Sequence, residues 1–244
     1  MRQSSYQELI RFPELTDDSG SLTMMEKSLL GHFILLTRPH LIIELGVYRA
    51  LTTQFMCDFL SQNRIDGYVV GFDLPAVVAE LRKSQMIQDL ESCNRLSLIP
   101  GSLPESLTRW LDQTGESFGL ALVDATHNYG SVKGELELLW PRLAEGGFIL
   151  CHDYSDKYEG VRYAVDSFAT KNDAMVLALT SSEAAQAAGY GSVLVAVTRH
   201  PYKFHLSRLF YHRWLAVKTR LLAIPTLHSL WHRVRPLVKP AKRD

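Results

Sequence analysis

Residues 120–154 read LALVDATHNYGSVKGELELLWPRLAEGGFILCHDY. The stretch opens on a short apolar run, LALVD, and closes on another, FILC. Between them Val132, Leu136, Leu139, Trp140 and Leu143 recur at helical spacing. That is a strand–helix–strand unit, with Pro141 expected to kink or end the helix and Gly146-Gly147 to stop it. The apolar runs do not alternate with polar residues, as expected of strands covered on both faces.

The same alternation extends in both directions. LIIELGV at 41–47 follows Pro39 and reads as a strand, and residues 50–63 as a helix with Leu51, Phe55, Phe59 and Leu60 on one face. YVVGFDL at 68–74 is a second strand. Pro75 suits a helix start, and residues 76–92 form one helical pattern. Residues 96–100 read as a strand and 103–113 as a short helix. Residues 161–168 are helical in pattern, and 175–179 and 192–197 are the last two strands. Seven strands with helices between the first six predict an open, doubly wound α/β sheet. Ligands bind such sheets outside the carboxyl ends of the strands, so the residues after each strand carry the chemistry.

The first strand runs into Glu44-Leu45-Gly46-Val47-Tyr48-Arg49-Ala50. A Gly there lets backbone approach a ligand, and the following helix offers N–H groups. An E-x-G after a strand also occurs by chance. The dinucleotide fingerprint G-x-G-x-x-G is absent, which argues against a nicotinamide enzyme. Asp73 ends the second strand and either accepts ribose hydroxyls or caps the helix ahead of Pro75. Ser102 either contacts a base or caps the helix from Leu103. The fourth strand delivers Asp124 and His127, and the fifth His152 and Asp153. Two carboxylates on one rim repel unless something positive lies between them. Mg²⁺ with oxygen ligands meets that need; the alternative is that both acids cap turns. His152 faces opposite to Asp153 if the strand runs through both, and is then a buried structural histidine; otherwise it is a ligand beside Asp153. His127 lies in a loop, as a base or a structural group.

These pieces resemble the class I S-adenosylmethionine-dependent methyltransferases, and more narrowly the macrocin O-methyltransferase and cephalosporin hydroxylase-like subgroup. The carriers are IIELGVYRALTT, GFDLP, GSLPESL, the 121–154 stretch and EGVRYAVDSF. The specific element is D-x-x-H-x-Y before a helix and G-G-x-x-x-x-H-D-Y after it. The resemblance implies a seven-stranded, mostly parallel sheet with its last strand antiparallel. It also implies S-adenosyl-L-methionine as cofactor, held by Glu44, Gly46, Tyr48, Asp73, Ser102 and Asp124. Glu44 and Gly46 fall at the methionine part, Asp73 at the ribose and Ser102 beside the adenine. His127 matches the general base, and Asp124, Asp153 and His152 the metal position. Ala50 departs from a common Gly. His152 departs from a position where several metal-dependent members carry an acid. The implied activity is O-methylation of a small-molecule hydroxyl acceptor, a sugar or polyol. A non-catalytic relative with a regulatory or membrane-surface role is the alternative.

The 244 residues carry no net formal charge, but the balance is uneven. Residues 199–244 contain eleven Lys/Arg and one acid, leaving an acidic body. The expected organisation is an N-terminal helical lid over 1–28, a cofactor-binding domain over 29–199 and a basic amphipathic helical tail over 200–244. The tail lies on an anionic membrane surface, docks on the body or a second subunit, or binds RNA. Nucleic-acid motifs are missing, which disfavours the last. Three scattered cysteines and no CxxC exclude a disulfide framework and a zinc ribbon. The polar N-terminus lacks a signal-peptide core, and no run of about 18 apolar residues occurs. A cytoplasmic protein, with membrane-peripheral contact through the tail, is the expectation.

Overall fold

The computed structural model describes residues 10–14, 22–179 and 193–199. The basic tail and most of the proposed lid lie outside the described residues. The described residues all belong to one compact unit, residues 1–200. Within it, seven strands form one sheet in the order β3-β2-β1-β4-β5-β7-β6. They are β1 (Leu41–Leu45), β2 (Tyr68–Asp73), β3 (Leu96–Pro100), β4 (Phe118–Val123), β5 (Leu143–Cys151), β6 (Ala174–Ala178) and β7 (Val195–Arg199). Strands β1 to β5 pair in parallel, and β7 runs antiparallel to both β5 and β6.

Every residue of β1 is buried, because helices cover both faces. Alternate residues feed opposite cores. Ile43, Ala121, Val123, Ile149 and Cys151 pack with α5 (Glu105–Thr114), α6 (Tyr129–Leu139) and α7 (Glu159–Asn172). Ile42, Leu120, Leu122 and Leu150 face the other layer. That layer holds α1 (Met24–Thr37), α2 (Leu51–Gln62), α3 (Pro75–Leu81) and α4 (Gln85–Ser92). Helix α1 starts inside the proposed lid segment and crosses its boundary at residue 28. No described helix is long and apolar enough to cross a membrane.

Two expected elements differ. The single helix over 76–92 is broken into α3 and α4, because the Arg82 guanidinium reaches Glu91 at 2.9 Å and the Leu98 carbonyl at 2.9 Å. The Arg82 carbonyl accepts from Gln88 Nε2 instead of continuing the helix. The glycines do not stop the helix before β5. Helix α6 ends at Leu139, and Pro141 sits in a 3₁₀ turn over Trp140–Arg142. Strand β5 already begins at Leu143 and passes through Gly146-Gly147 by a register shift against β4. Gly146 takes φ +74°, and a Cβ on Gly147 would meet the Gly119 carbonyl at 2.8 Å.

The α6 core stripe carries one acid. Glu135 is fully buried, and both its carboxyl oxygens lack a partner. Burial pushes its pKa up to about 7. The folded state therefore binds a proton more tightly than the unfolded chain. Stability is unaffected below the unfolded value near 4.5. It declines as pH rises toward the folded value and then levels off. The full loss is on the order of 3 kcal/mol. Glu135→Gln removes this titration. Thermal denaturation will show the variant gaining on the wild type between about pH 5 and about pH 8; a gap independent of pH would contradict the assignment.

Candidate active site

The chain leaves β1 outward to β2 and β3, then returns to place β4 on the other side of β1. The crevice between β1 and β4 is thus the point where the winding reverses, the ligand position of such sheets. Gly46 and Asp124 flank it. Gly46 takes φ +92°, and a Cβ there would come 2.5 Å from the Asp124 carbonyl oxygen and 2.8 Å from Ala125 Cα. Only glycine lets the two strand ends lie this close. Tyr48 and Ala50 also take positive φ, at 49° and 60°, so the loop is tightly coiled before α2 begins.

Asp73 is the buckle of that loop. Its Oδ2 accepts from the Val47 and Tyr48 N–H groups at 2.9 and 2.8 Å, and its Oδ1 from the Leu74 N–H at 2.7 Å. A carboxylate has about four acceptor directions, so one remains for a ligand hydroxyl. The helix-cap alternative fails, since Leu74 occupies the N-cap of α3. Tyr48 is 61% exposed at the rim. Ser102 is exposed beside β3, and its hydroxyl donates to Glu105 at 3.1 Å rather than capping α5. Glu44 lies beneath the loop, 1% exposed, accepting from Thr53 Oγ1 at 2.5 Å. Burial pushes its pKa up to about 8, and the Asp124 and Asp73 charges add to this against the Thr53 hydrogen bond. Glu44 therefore holds its proton to about neutral pH.

Asp124, His152 and Asp153 do converge. One ligand atom from each lies within 4.8 Å of the others. The condition for His152 to face away from Asp153, a strand running through both, is not met. Strand β5 ends at Cys151, and Asp153 turns through φ 60°, which brings both side chains to one side. His152 Nδ1 lies 3.1 Å from Asp124 Oδ1 and 3.5 Å from Asp153 Oδ2. Neither acid is a helix cap: Asn128 caps α6, and Tyr158 occupies the cap position of α7. His127 reaches the same centre, with Nε2 2.6 Å from Asp153 Oδ2. Its ring stacks on Tyr158 with centroids 4.2 Å apart, and its side chain is 43% exposed.

Glu26 of α1 completes the group. It is 2% exposed, and its Oε2 lies 3.4 Å from His152 Nε2. That is an ion-pair separation; Nε2 makes no hydrogen bond. Oε2 also accepts from the Thr23 N–H and hydroxyl, both at 2.9 Å. Burial opposes charge on His152, but the Asp124 charge and the contacts to Asp124, Asp153 and Glu26 outweigh it. They hold its pKa well above the usual histidine range. Burial likewise opposes charge on Glu26 and Asp153, and His152 overrides it and lowers both. The T-x-x-E capping box at Thr23–Glu26 is readable from sequence. Its contact with His152 is not, because it joins elements more than a hundred residues apart.

The donor set tests the metal expectation. Mg²⁺ takes oxygen ligands, whereas this trio offers two carboxylates and an imidazole whose Nδ1 already faces both acids. Its three ligand atoms nevertheless lie close enough together to hold a metal ion, as a mixed His/Asp set rather than an all-oxygen one.

Comparison with known proteins bears on the fold. Residues 43–154 match a family described as a methyltransferase domain. No curated protein matches the chain. Among solved structures, an O-methyltransferase from Bacillus cereus in complex with SAH is 16% identical, with TM-score 0.58, covering 75% of this chain and 84% of that one. TomG, an O-methyltransferase from Streptomyces achromogenes bound to SAM, is 14% identical over 74% of this chain and 82% of that one, with TM-score 0.55. CalS11, a TDP-rhamnose 3'-O-methyltransferase of calicheamicin biosynthesis, is 19% identical over 72% and 79%, with TM-score 0.58. The fold is the seven-stranded class I methyltransferase fold. Gly46→Ala tests the loop geometry: positive φ and the Asp124 overlap will cost roughly 2–4 kcal/mol in chemical denaturation, whereas unchanged stability would mean the loop is not closed as described.

Proposed function

We propose that the methyltransferase domain of this chain acts as an S-adenosylmethionine-dependent O-methyltransferase on a hydroxyl of a small metabolite, a sugar or polyol. The observation that carries the reading is the His127–Asp153 pair standing beside the switch-point crevice, 2.6 Å from nitrogen to oxygen. The cofactor reading rests on the methyltransferase match over 43–154 and on the Gly46 and Asp73 geometry. The sugar acceptor draws support from the likeness to the TDP-rhamnose enzyme.

When bound, S-adenosylmethionine supplies an activated methyl group on a positively charged sulfur. The remaining acceptor direction of Asp73 receives a ribose hydroxyl. The coiled 46–50 loop offers backbone to the methionine end, over the neutral Glu44. Tyr48 and Ser102 stand at the rim.

An alcohol is a poor nucleophile because it keeps its proton near neutral pH. His127 answers that need. With Nε2–H donated to Asp153, its Nδ1 carries the lone pair that takes the acceptor's proton. The stacked Tyr158 ring restricts the imidazole to one plane. Asp153 then faces a cation on His127 as the proton arrives, and the short contact stabilises it.

His127→Ala will lower methyl transfer ~10²–10⁴-fold with little change in S-adenosylhomocysteine affinity by calorimetry; undiminished turnover removes the base assignment. Asp73→Ala will instead weaken S-adenosylhomocysteine binding on the order of tenfold or more, because it removes both the ribose acceptor and the loop buckle. Methyl release against a panel of sugars, polyols and catechols decides the acceptor class, and activity confined to catechols would defeat the sugar reading.

A further inference from the structure

We propose that Gly160, in the first turn of α7, is a positioning residue for His127, the base of the proposed methyl transfer. The start of α7 lies directly on the 127–129 loop. A Cβ at Gly160 would overlap the His127 carbonyl oxygen and come 2.9 Å from the Tyr129 nitrogen and 3.2 Å from the Asn128 carbonyl carbon. All three neighbours are backbone atoms, which cannot swing aside as a side-chain tip can. Gly160 does not take a positive φ, so its backbone conformation would accept alanine and the constraint is space alone. Glycine also weakens a helix relative to alanine. What it permits at this position is the close approach of the loop.

That approach fixes where His127 stands. On its other side the loop is tied to α6. The Asn128 side chain accepts from the Ser131 N–H at 2.9 Å, and the Asn128 carbonyl from the Val132 N–H at 3.2 Å. The loop is therefore held between two helix starts. The chain leading from β5 into α7 then meets His127 repeatedly over residues 153–160. Asp153 Oδ2 lies 2.6 Å from its Nε2, Tyr158 stacks on its ring at 4.2 Å, and Gly160 makes room for its carbonyl. A Cβ at position 160 would push the His127 backbone away from α7. The ring would lift off Tyr158, and Nε2 would move from Asp153. A displacement of about an ångström at a reacting group costs up to about a hundredfold in rate. The Gly46 and Asp73 end of the crevice is untouched by that shift.

The consequence in rate rests on the methyl-transfer reading, but the geometric test needs neither cofactor nor acceptor. In proton NMR of the full chain, the wild type will show a cross-peak between Gly160 Hα and the Tyr129 amide. It will show another between the His127 and Tyr158 rings, assigned by its loss in His127→Gln. Gly160→Ala will lose the ring cross-peak. It will also lower kcat on the best acceptor of the sugar and polyol panel by about tenfold to a hundredfold, with KM for S-adenosylmethionine unchanged. Gly134→Ala, at a helix glycine with nothing within 4 Å of its Cβ position, will keep both the cross-peak and the rate. That control separates a local displacement from the general effect of adding a methyl group to a helix. A folded Gly160→Ala chain that retains the ring cross-peak, or turns over as the wild type does, overturns the proposal. So does a wild type without the Gly160–Tyr129 cross-peak, which decides the matter even if Gly160→Ala does not fold. Failure of the methyl-transfer reading would look different: a wild type with both cross-peaks and no methyl transfer to any acceptor.

Discussion

Asp124, Asp153 and Glu26 are crowded into one corner at the carboxyl edge of the sheet, two of them with little solvent around them. Carboxylates at that spacing repel strongly once water is thinned out. Left alone, the group would keep a proton on one acid or spring the strand ends apart. What lies between them decides which elements can meet there. His152 stands at that point, 3.1 Å from Asp124, 3.5 Å from Asp153 and 3.4 Å from Glu26, so the ends of β4 and β5 and the first turn of α1 meet around one ring. The crevice beside β1 then acquires a fixed wall. Gly46 completes the closure from the other side, by having no Cβ where the Asp124 carbonyl must pass.

Much of this was legible in the sequence. The apolar runs at 41–47, 68–74 and 120–124 read as buried strands because both faces of the sheet are covered, and their ends pointed to Asp73, Asp124 and His127. The misreadings share a physical cause. The break between α3 and α4 depends on Arg82 finding Glu91 and the Leu98 carbonyl, contacts that helical periodicity does not register. Gly146-Gly147 reads as a stop locally, yet the pair lies inside a strand, at a bulge that only the register against β4 defines. Strand alternation running through both residues would have turned His152 away from Asp153, but β5 stops at Cys151 and Asp153 is left-handed. Glu26 could be seen as half of a capping box but not as part of a site, since its partner lies on β5's far end of the sequence.

The four buried acids among the described residues divide into two kinds. Glu44 and Glu135 are buried where no cation reaches them, and both hold their protons to about neutral pH. Glu26 and Asp153 are also largely buried, yet stay ionised because His152 faces them. Burial alone is therefore not what sets their state; the nearest countercharge is. Glu44 gains a function from neutrality. An ionised carboxylate beneath the 46–50 loop would add a third negative charge beside Asp73 and Asp124, in the one place where the backbone is already coiled through positive φ.

The charge balance of the corner also bears on what His127 can do. In the proposed reaction His127 takes a proton, and the imidazolium so formed meets an acid rather than standing as an isolated positive centre. Asp153 reaches both rings through the same oxygen, while Asp124 and Glu26 face His152 from its other sides. Asp153 is thus shared between the two histidines. That arrangement suits the proposed removal of a proton from a neutral hydroxyl, because the acids stand beside the position where the positive charge would form.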